Sequence, residues 1–419
     1  MKSFLILAIG LLSCAPIFSQ TSNQTTITLD ELVHEALQNN PELQAFAENR
    51  SVIRGRIPQM SSLDNPMFEI EIEEAPSSDL FNTSQWKFIN VGLRQMLPFP
   101  GKLAKAKKLA EIDAEHAHHD YEEKILEITQ KVKMAYYELY MIQRGLEINQ
   151  ENLNLMNQFL NIAKVRYAVG QVMNQDVLKS NVELAKLSNE QITLQQREET
   201  AKAMLNVLIN RSPQSPIGTT FLPERKTPSF DLEKLQQYAL AHRPMIHHEA
   251  LSVEQSRVAN ELAKRQYWPD FDLSLRYVTS PLEGFRGWTA MAGVTLPFSL
   301  WSIKMQRGMV QETAAEIRMK EAMLNNSRNM VKFMVRDAVV NASSAQRMVE
   351  LYRSTVLPQS EQSLQATVAN YQTRQTDFLM LLDSYRMLQM FKMEYYEALA
   401  KREMSLAELE RAVGKKLDE

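Results

Sequence analysis

The sequence predicts a mainly α-helical protein with a small β part, built from two copies of one unit. Three observations lead to this fold class. Apolar residues recur at helical spacing over long stretches, four short segments alternate between apolar and polar residues, and matching residues recur about 203 positions apart. Only 12 glycines occur among 419 residues, which argues against a turn-rich all-β fold.

The composition excludes several functional classes. A net charge of −3, from 47 basic and 50 acidic residues, provides no positive field for nucleic acid. Neither a Walker A loop nor a GxGxxG motif is present, which excludes the common nucleotide sites. Cys14 is the only cysteine, so intrachain disulfides, zinc–thiolate clusters and a downstream cysteine nucleophile are excluded.

The N-terminus has the pattern of a signal peptide over residues 1–19. Lys2 precedes a nine-residue apolar run, residues 4–12, which is too short to span a bilayer. Two processing routes are open. Residues 11–14, LLSC, resemble a bacterial lipobox, after which Cys14 would be lipidated, whereas Ile17-Phe18-Ser19 before Gln20 suits an ordinary signal peptidase.

The remaining chain reads as a duplication. Pro66 and Phe68 match Pro269 and Phe271 at an offset of 203, which also relates Gln143 to Gln346. The offset becomes 204 between Tyr167 and Tyr371, and such drifts suggest insertions in loops. We therefore predict a first repeat at 20–211, a proline-rich linker at 212–230 and a second repeat at 231–419. Each repeat has short helices, a strand pair and a long helical hairpin.

Each long hairpin carries a coiled-coil seam. In the first repeat the apolar steps of 3 and 4 predict a helix over 103–168, about 100 Å long at 1.5 Å per residue. Gly170 is the expected turn, and the returning helix is expected to end at Ser212-Pro213. The hairpins are placed at about 101–211 and 301–414. Since so long a hairpin is no compact core, its apolar stripes require cover from neighbouring hairpins of this chain or of its copies.

The alternating segments form two predicted strand hairpins, at about 66–98 and 269–297. Phe68, Ile70 and Ile72 alternate with glutamates, and the return strands are expected near 86–97 and 288–296. A half-buried soluble sheet gives the same alternation, but the signal peptide, the strand lengths and the nearby aromatics favour membrane strands. Four strands cannot close a barrel, so copies must combine: two give eight strands and three give twelve.

The order of these elements, with LPFPGK at residues 97–102 and YAVGQVMNQDVLKS at 167–180, resembles the TolC-type outer membrane efflux family. LPFPGK is similar to the heavy-metal branch of CzcC- and CusC-like ducts. The resemblance implies a homotrimer in which four strands per chain form a shared transmembrane β-barrel in the outer membrane. Duplicated coiled-coil hairpins then form a periplasmic α-barrel. The implied partners are outer membrane lipid, a periplasmic adaptor and an inner-membrane transporter of the resistance-nodulation-division type, with no cofactor and no enzymatic activity.

The resemblance also implies residues that narrow the tunnel at the hairpin tips. Asp176 resembles the aspartate that bonds a tyrosine of the other hairpin, and Tyr371 matches that tyrosine. Asp383 matches one of two tunnel-narrowing aspartates, while Met380 replaces the other, which implies one acidic ring beside a methionine ring. The alternative is that Asp176 and Asp383 merely cap or solvate helix starts.

Three further groups of residues are candidate sites, and each also has a simpler structural interpretation. Glu69, Glu71 and Glu73 would face the barrel lumen if their apolar neighbours face lipid, or they form a solvated strand face. The histidines of HAHH, residues 116–119, are expected to be a solvated patch, so no metal site is predicted. Met387, Met390 and Met393 are expected to pack in a core rather than to form a copper path.

The expected function is the passive outer-membrane exit duct of a tripartite efflux pump, carrying heavy-metal cations. The alternatives are a duct for drugs or for type I protein secretion, and a soluble periplasmic coiled-coil scaffold. A secreted enzyme is disfavoured, because the sequence offers no catalytic triad, metal cluster or phosphate loop.

Overall fold

The computed structural model describes residues 28–74, 83–222, 230–373 and 375–416. Its described part is mostly helix, with one four-stranded sheet. A five-residue π-helical turn, Tyr352–Val356, joins two helices of the second half. In chain order the helices and strands are α1 (Leu29–Asn39), α2 (Pro41–Arg54), α3 (Arg56–Ser61), β1 (Met67–Glu73), β2 (Phe88–Leu97), α4 (Lys102–Ala168), α5 (Asn174–Leu208), α6 (Leu232–His242), α7 (Pro244–Arg265), β3 (Phe271–Ser280), β4 (Phe285–Val294), α8 (Leu300–Leu351), α9 (Leu357–Gln372) and α10 (Phe378–Val413).

The first long hairpin pairs α4 with α5. Helix α4 begins one residue before the predicted start. It runs unbroken for 67 residues, because no proline interrupts its coiled-coil seam. Gly170 turns the chain with φ of +69°, a conformation that glycine adopts without strain.

Helix α5 ends at Leu208, four residues before the expected Ser212. Asn210 adopts φ of +60°, and the Asn206 side chain donates hydrogen bonds to the carbonyls of Pro213 and Ser215. The side chain of Asn40 donates to the Leu208 carbonyl at 2.8 Å. Polar side chains therefore end this helix before the proline does.

The second hairpin has an interrupted outgoing helix. Helices α8 and α9 are continuous through the π-helical turn, and Pro358 lies in the first turn of α9. Residues 300–372 are helical throughout, so the prediction that the change of repeat offset from 203 to 204 arises in a loop was wrong. It falls in the helix, where a π-turn holds one residue more than an α-turn.

The predicted seams form the core of the helical part. Ile128, Val132, Leu139 and their neighbours on α4 pack against α1 and α5. Val331, Val335 and Ala338 on α8 pack against α6 and the end of α10. Helix α1 is held in place at its start by a capping box, in which Thr28 and Glu31 satisfy each other's backbone N–H groups.

The sheet is antiparallel with strand order β1-β2-β3-β4. Strand β4 begins at Phe285, three residues before the expected Trp288. The reason is a tight turn in which Gly284, at φ of +69°, donates its N–H to the Ser280 carbonyl at 2.8 Å. Strand β2 joins the two halves by pairing with β1 and β3.

The LPFPGK segment ties this sheet to the helices. The Phe99 ring stacks on Trp268 at 5.0 Å, and Gly101 starts α4 with φ of +91°. The buried Lys102 ammonium donates to the Asp270 carboxylate at 2.8 Å and to the Trp268 carbonyl at 3.0 Å. The motif therefore fixes where the sheet of one half meets the long helix of the other.

Candidate functional site

The tips of the two hairpins lie side by side and enclose a cavity of about 390 Å³. Asp176, Lys179 and Arg166 line it from the first hairpin, and Tyr371 and Asp377 line it from the second. Asp377 caps α10 by accepting a hydrogen bond from the Met380 N–H at 3.0 Å. Charged groups of both signs therefore meet between the tips.

Tyr371 is buried in this cavity, and its hydroxyl has no hydrogen-bond partner among the described residues. The Arg166 guanidinium lies 4.5 Å from the ring centroid and donates to the Tyr371 carbonyl at 3.2 Å. Burial raises the pKa of the Tyr371 hydroxyl, so it is a neutral potential donor at pH 7.

Asp176 faces the same cavity, but no hydrogen bond joins it to Tyr371 in this structure. Burial raises the pKa of Asp176, and the nearby Asp377 carboxylate adds to the rise. The structure thus brings the two predicted residues together without the bond that the resemblance implied.

Asp383 and Met380 lie outside the cavity, both exposed on α10. Met387 and Met390 are exposed near the same face, with about half of each side chain accessible, so the expected core packing was wrong for these two. Only Met393 is half-buried, with its methyl 3.2 Å from where a Cβ on Gly145 would be. One face of α10 therefore presents an acidic side chain among exposed methionines.

The two hairpins are also joined by an ion pair between a buried glutamate and an exposed arginine, which the sequence did not predict. Arg386 on α10 holds the Glu183 carboxylate of α5 through two hydrogen bonds, and Glu183 is only 8% exposed. This pairing lowers the pKa of Glu183. The partners are 203 residues apart, and no local pattern could have joined them.

The polar face of the sheet carries the predicted glutamates together with arginines. Arg276 on β3 donates to Glu71 at 2.8 Å and to Glu69 at 2.9 Å, and Arg94 on β2 pairs with Asp272. Glu73 accepts from Asn90 at 2.8 Å. The negative excess of this face is therefore smaller than the glutamates alone suggested.

Gly92 makes the reach of Arg276 possible. A Cβ on Gly92 would lie 2.6 Å from Arg276 Cγ and 2.7 Å from the Leu275 carbonyl oxygen. Because glycine leaves this space open, the arginine crosses β2 and links β3 to β1.

The opposite face of the sheet is apolar and exposed. Each residue of this face exposes more than a third of its surface to solvent. They are Phe68, Ile70, Ile72, Leu93, Phe271, Leu273, Leu275, Trp288 and Val294. In the described residues, β1 and β4 each pair on one side only, so the sheet has two unpaired edges.

The helices form a similar open row. Helix α5 packs along α4, and α4 packs along both α10 and α7. Helices α10 and α7 pack in turn along α8, and α10 also packs along α9, which leaves α5 and α8–α9 at the ends of the row. Helix α5 exposes apolar residues such as Leu178, Val182 and Ile192. At about 100° per residue, the seven methionines of α8 lie within about 40° of one line over about 65 Å. They are Met305, Met309, Met319, Met323, Met330, Met334 and Met348, all exposed.

The methionine stripe on α8 can be found in the sequence, because its spacings of 4, 10, 4, 7, 4 and 14 residues all lie close to whole helical turns. The possible lipidation at Cys14 lies outside the described residues. Among the described helices, none combines the length and apolarity needed to cross a bilayer.

Comparisons with known proteins agree with these features. The family description "outer membrane efflux protein" matches residues 32–211. The chain is 20% identical over 411 residues to the cobalt-zinc-cadmium resistance protein CzcC of Cupriavidus metallidurans, covering 96% of this chain and 93% of that protein.

Solved structures share the fold. A crystal structure of CusC superposes with a TM-score of 0.80 at 16% identity, covering 93% of this chain and 93% of that chain. VceC of Vibrio cholerae superposes with a TM-score of 0.77 at 19% identity, covering 92% of this chain and 96% of that chain. The predicted class, long helical hairpins with a small β part, is confirmed.

Proposed function

For a chain that matches the outer membrane efflux proteins over residues 32–211 and shares their fold over most of its length, we propose a passive exit duct in the outer membrane. The duct is a homotrimer. Its strands form one shared twelve-stranded barrel, and its helical hairpins form a tunnel that extends into the periplasm.

One observation carries this proposal: the sheet and the helical row are both open, and the outermost element at each end packs against a neighbour on one side only. The sheet ends at β1 and β4, and the helical row ends at α5 and α8–α9, with exposed apolar residues at both helical ends. Two different ends that complement each other make a head-to-tail contact, which closes into a ring of copies. Three copies give twelve strands, enough for a conduit.

In this ring the exposed apolar face of the sheet contacts lipid, and the face with Glu69, Glu71 and Glu73 lines the lumen. Asp383 and Met380 supply the rings that narrow the tunnel near the tips. The Asp176–Tyr371 contact forms or breaks as the tips move, because Tyr371 keeps an unpartnered hydroxyl close to Asp176.

The oligomer is tested by purifying the protein in detergent, measuring its mass by light scattering and recording its conductance in planar bilayers. We expect three chains per particle and a cation-selective channel. Asp383→Asn should reduce that selectivity, whereas Glu361→Gln, a change on α9, should not. A monomer that stays soluble without detergent would instead identify a periplasmic scaffold.

For the cargo we propose heavy-metal cations, delivered by a resistance-nodulation-division transporter and a periplasmic adaptor. The support is the similarity to CzcC over nearly the whole chain. A deletion strain should become sensitive to one or two among Cu, Ag, Zn, Co, Cd and Ni salts, and the wild-type gene should restore growth. Sensitivity to detergents and drugs alone would identify a drug duct, and defective export of a protein would identify type I secretion.

A further inference from the structure

Five histidines from two helices meet on the helical wall. His116, His118 and His119 lie on α4, and His247 and His248 lie near the start of α7. The ring centroids of His116 and His248 are 4.3 Å apart, and those of His119 and His247 are 5.4 Å apart. The sequence predicts only a solvated patch on α4, because the α7 histidines join it through the docking of α7 against α4, which no local pattern encodes.

Carboxylate oxygens lie within 3.5 Å of a nitrogen in three of these rings. Glu122 contacts His119 Nδ1 at 2.9 Å and His118 Nε2 at 3.3 Å, and Asp120 lies 3.5 Å from His248 Nε2. Histidines that bind metals characteristically have a carboxylate on the nitrogen that faces away from the metal. His118, His119 and His248 therefore each have a carboxylate contact of this kind.

The remaining nitrogens differ in their surroundings: His248 Nδ1 lies 3.9 Å from the Glu249 carboxylate. His116 Nδ1 and His118 Nδ1 are buried atoms without a hydrogen-bond partner among the described residues. Burial and the neighbouring His248 lower the pKa of His116. An unsatisfied buried nitrogen needs an explanation, and a metal ion would satisfy it.

We propose that His116 and His248 bind a divalent transition-metal ion and thereby link α4 to α7. Imidazole nitrogens favour Zn²⁺, Ni²⁺ and Co²⁺ over Mg²⁺ or Ca²⁺. Among the described residues no three donor atoms converge on one point, so the two rings rotate about their side-chain bonds on binding, and water completes the coordination. Asp120 is a positioning residue that orients His248.

The site goes beyond the proposed duct and does not depend on it. It lies on the wall between two helices of one chain, so the purified protein and a metal salt suffice to test it. The outcome of that test is independent of the cargo, of the pump and of any growth phenotype.

The experiment is a calorimetric titration of ZnCl₂ into the full-length protein at pH 7, purified without a polyhistidine tag. We expect binding that weakens about tenfold or more in His116→Gln and in His248→Gln, with no further loss in the double variant, because both ligands serve one site. Bound Co²⁺ should give a visible absorption spectrum that both variants lose. Asp120→Asn should weaken binding and shift that spectrum without abolishing it.

His34→Gln on α1 and His242→Gln on α6 are matched controls, since each removes a histidine elsewhere and should leave the affinity unchanged. Far-UV circular dichroism without metal verifies that every variant folds, and His248→Gln serves alone if His116→Gln does not. The proposal is overturned if the wild-type protein takes up no metal or if His34→Gln weakens binding as much. It is also overturned if His119→Gln and His247→Gln abolish binding while the proposed pair does not.

Discussion

At the scale of single residues, the clearest electrostatic effect is on Glu127 of α4. Lys124 at 2.8 Å and Lys131 at 2.5 Å flank its carboxylate. Their hydrogen bonds lower the pKa of Glu127 to about 2. A carboxylate with a depressed pKa in the folded state stabilises the fold above its unfolded pKa, and it loses that contribution as the pH falls toward the folded value.

Glu127→Gln should therefore be less stable than the wild-type protein at pH 6, by less than about 1 kcal/mol because the ion pairs are partly solvated. The difference should shrink as the pH falls from about 4.5 toward about 2. Thermal unfolding in detergent, followed by circular dichroism at pH 6 and pH 3, measures it. Glu115→Gln, an exposed change on the same helix, is the control, and an equal pH dependence in both variants would contradict the assignment.

The structure also explains why residue 92 is a glycine. Gly92→Ala places a methyl group against Arg276 and the Leu275 carbonyl, and it should cost about 1–3 kcal/mol of stability through overpacking. The heat resistance of the proposed trimer on gels should fall. Gly293→Ala on β4 is the matched control, because its new Cβ would meet nothing closer than 3.4 Å. Equal losses in both variants would show that any alanine disturbs these strands.

At the scale of elements, the π-helical turn in the second hairpin absorbs one extra residue. In a regular helix one inserted residue rotates everything after it by about 100°. The wider turn at Tyr352–Val356 avoids this, so α9 keeps Tyr371 against Phe378 and the tip cavity. The wider turn also keeps the Pro358 ring away from the carbonyl four residues earlier. In a regular helix that clash would cost about 3 kcal/mol of stability.

Deleting Ser354 together with Pro358→Ala should consequently be tolerated, because a regular α-turn then replaces the π-turn and both flanking faces are kept. Deleting Glu151, the residue 203 positions earlier, should misplace the lower part of α4, where no such turn exists. Hydrogen exchange across 357–372 and 152–168 distinguishes the two outcomes. Tolerance of both deletions, or of neither, would contradict this role of the π-turn.

Some features of the elements can be predicted from the sequence, and others cannot. Periodicity places α4 within one residue, because a continuous seam determines a long helix. The end of α5 and the start of β4 were misplaced by a few residues, since Asn206, Asn210 and Gly284 act through local turn geometry. Contacts between elements, such as Glu183 with Arg386 and His116 with His248, depend on how helices dock, which no local pattern encodes.

At the scale of the whole molecule, we predict that the methionine stripe on α8 of one copy packs against the apolar face of α5 on the next copy. Methionine suits such a contact, because its flexible side chain adapts to an irregular partner surface. Two carboxylates in the middle of the stripe would have to be buried unpaired between copies, which is strongly unfavourable.

Met319→Glu with Met330→Glu should leave the helix content unchanged but prevent trimers, which light scattering in detergent would detect as single chains. Met387→Glu, an exposed methionine on α10 away from the ends of the helical row, should leave trimers intact. Trimers in all three proteins would place the contact elsewhere, and loss of trimers in all three would show a general sensitivity to added charge.

The unpaired edges of β1 and β4 bear on how the protein matures in the cell. A lone chain in water would offer those edges and a broad apolar face as a template for aggregation. A lone chain in lipid would leave backbone groups without partners. Neither compartment therefore accommodates a finished monomer, so in the proposed duct insertion has to accompany the meeting of copies. The yield should then rise steeply with the supply of newly exported chains, and holding chaperones that delay sheet formation until chains meet should protect it.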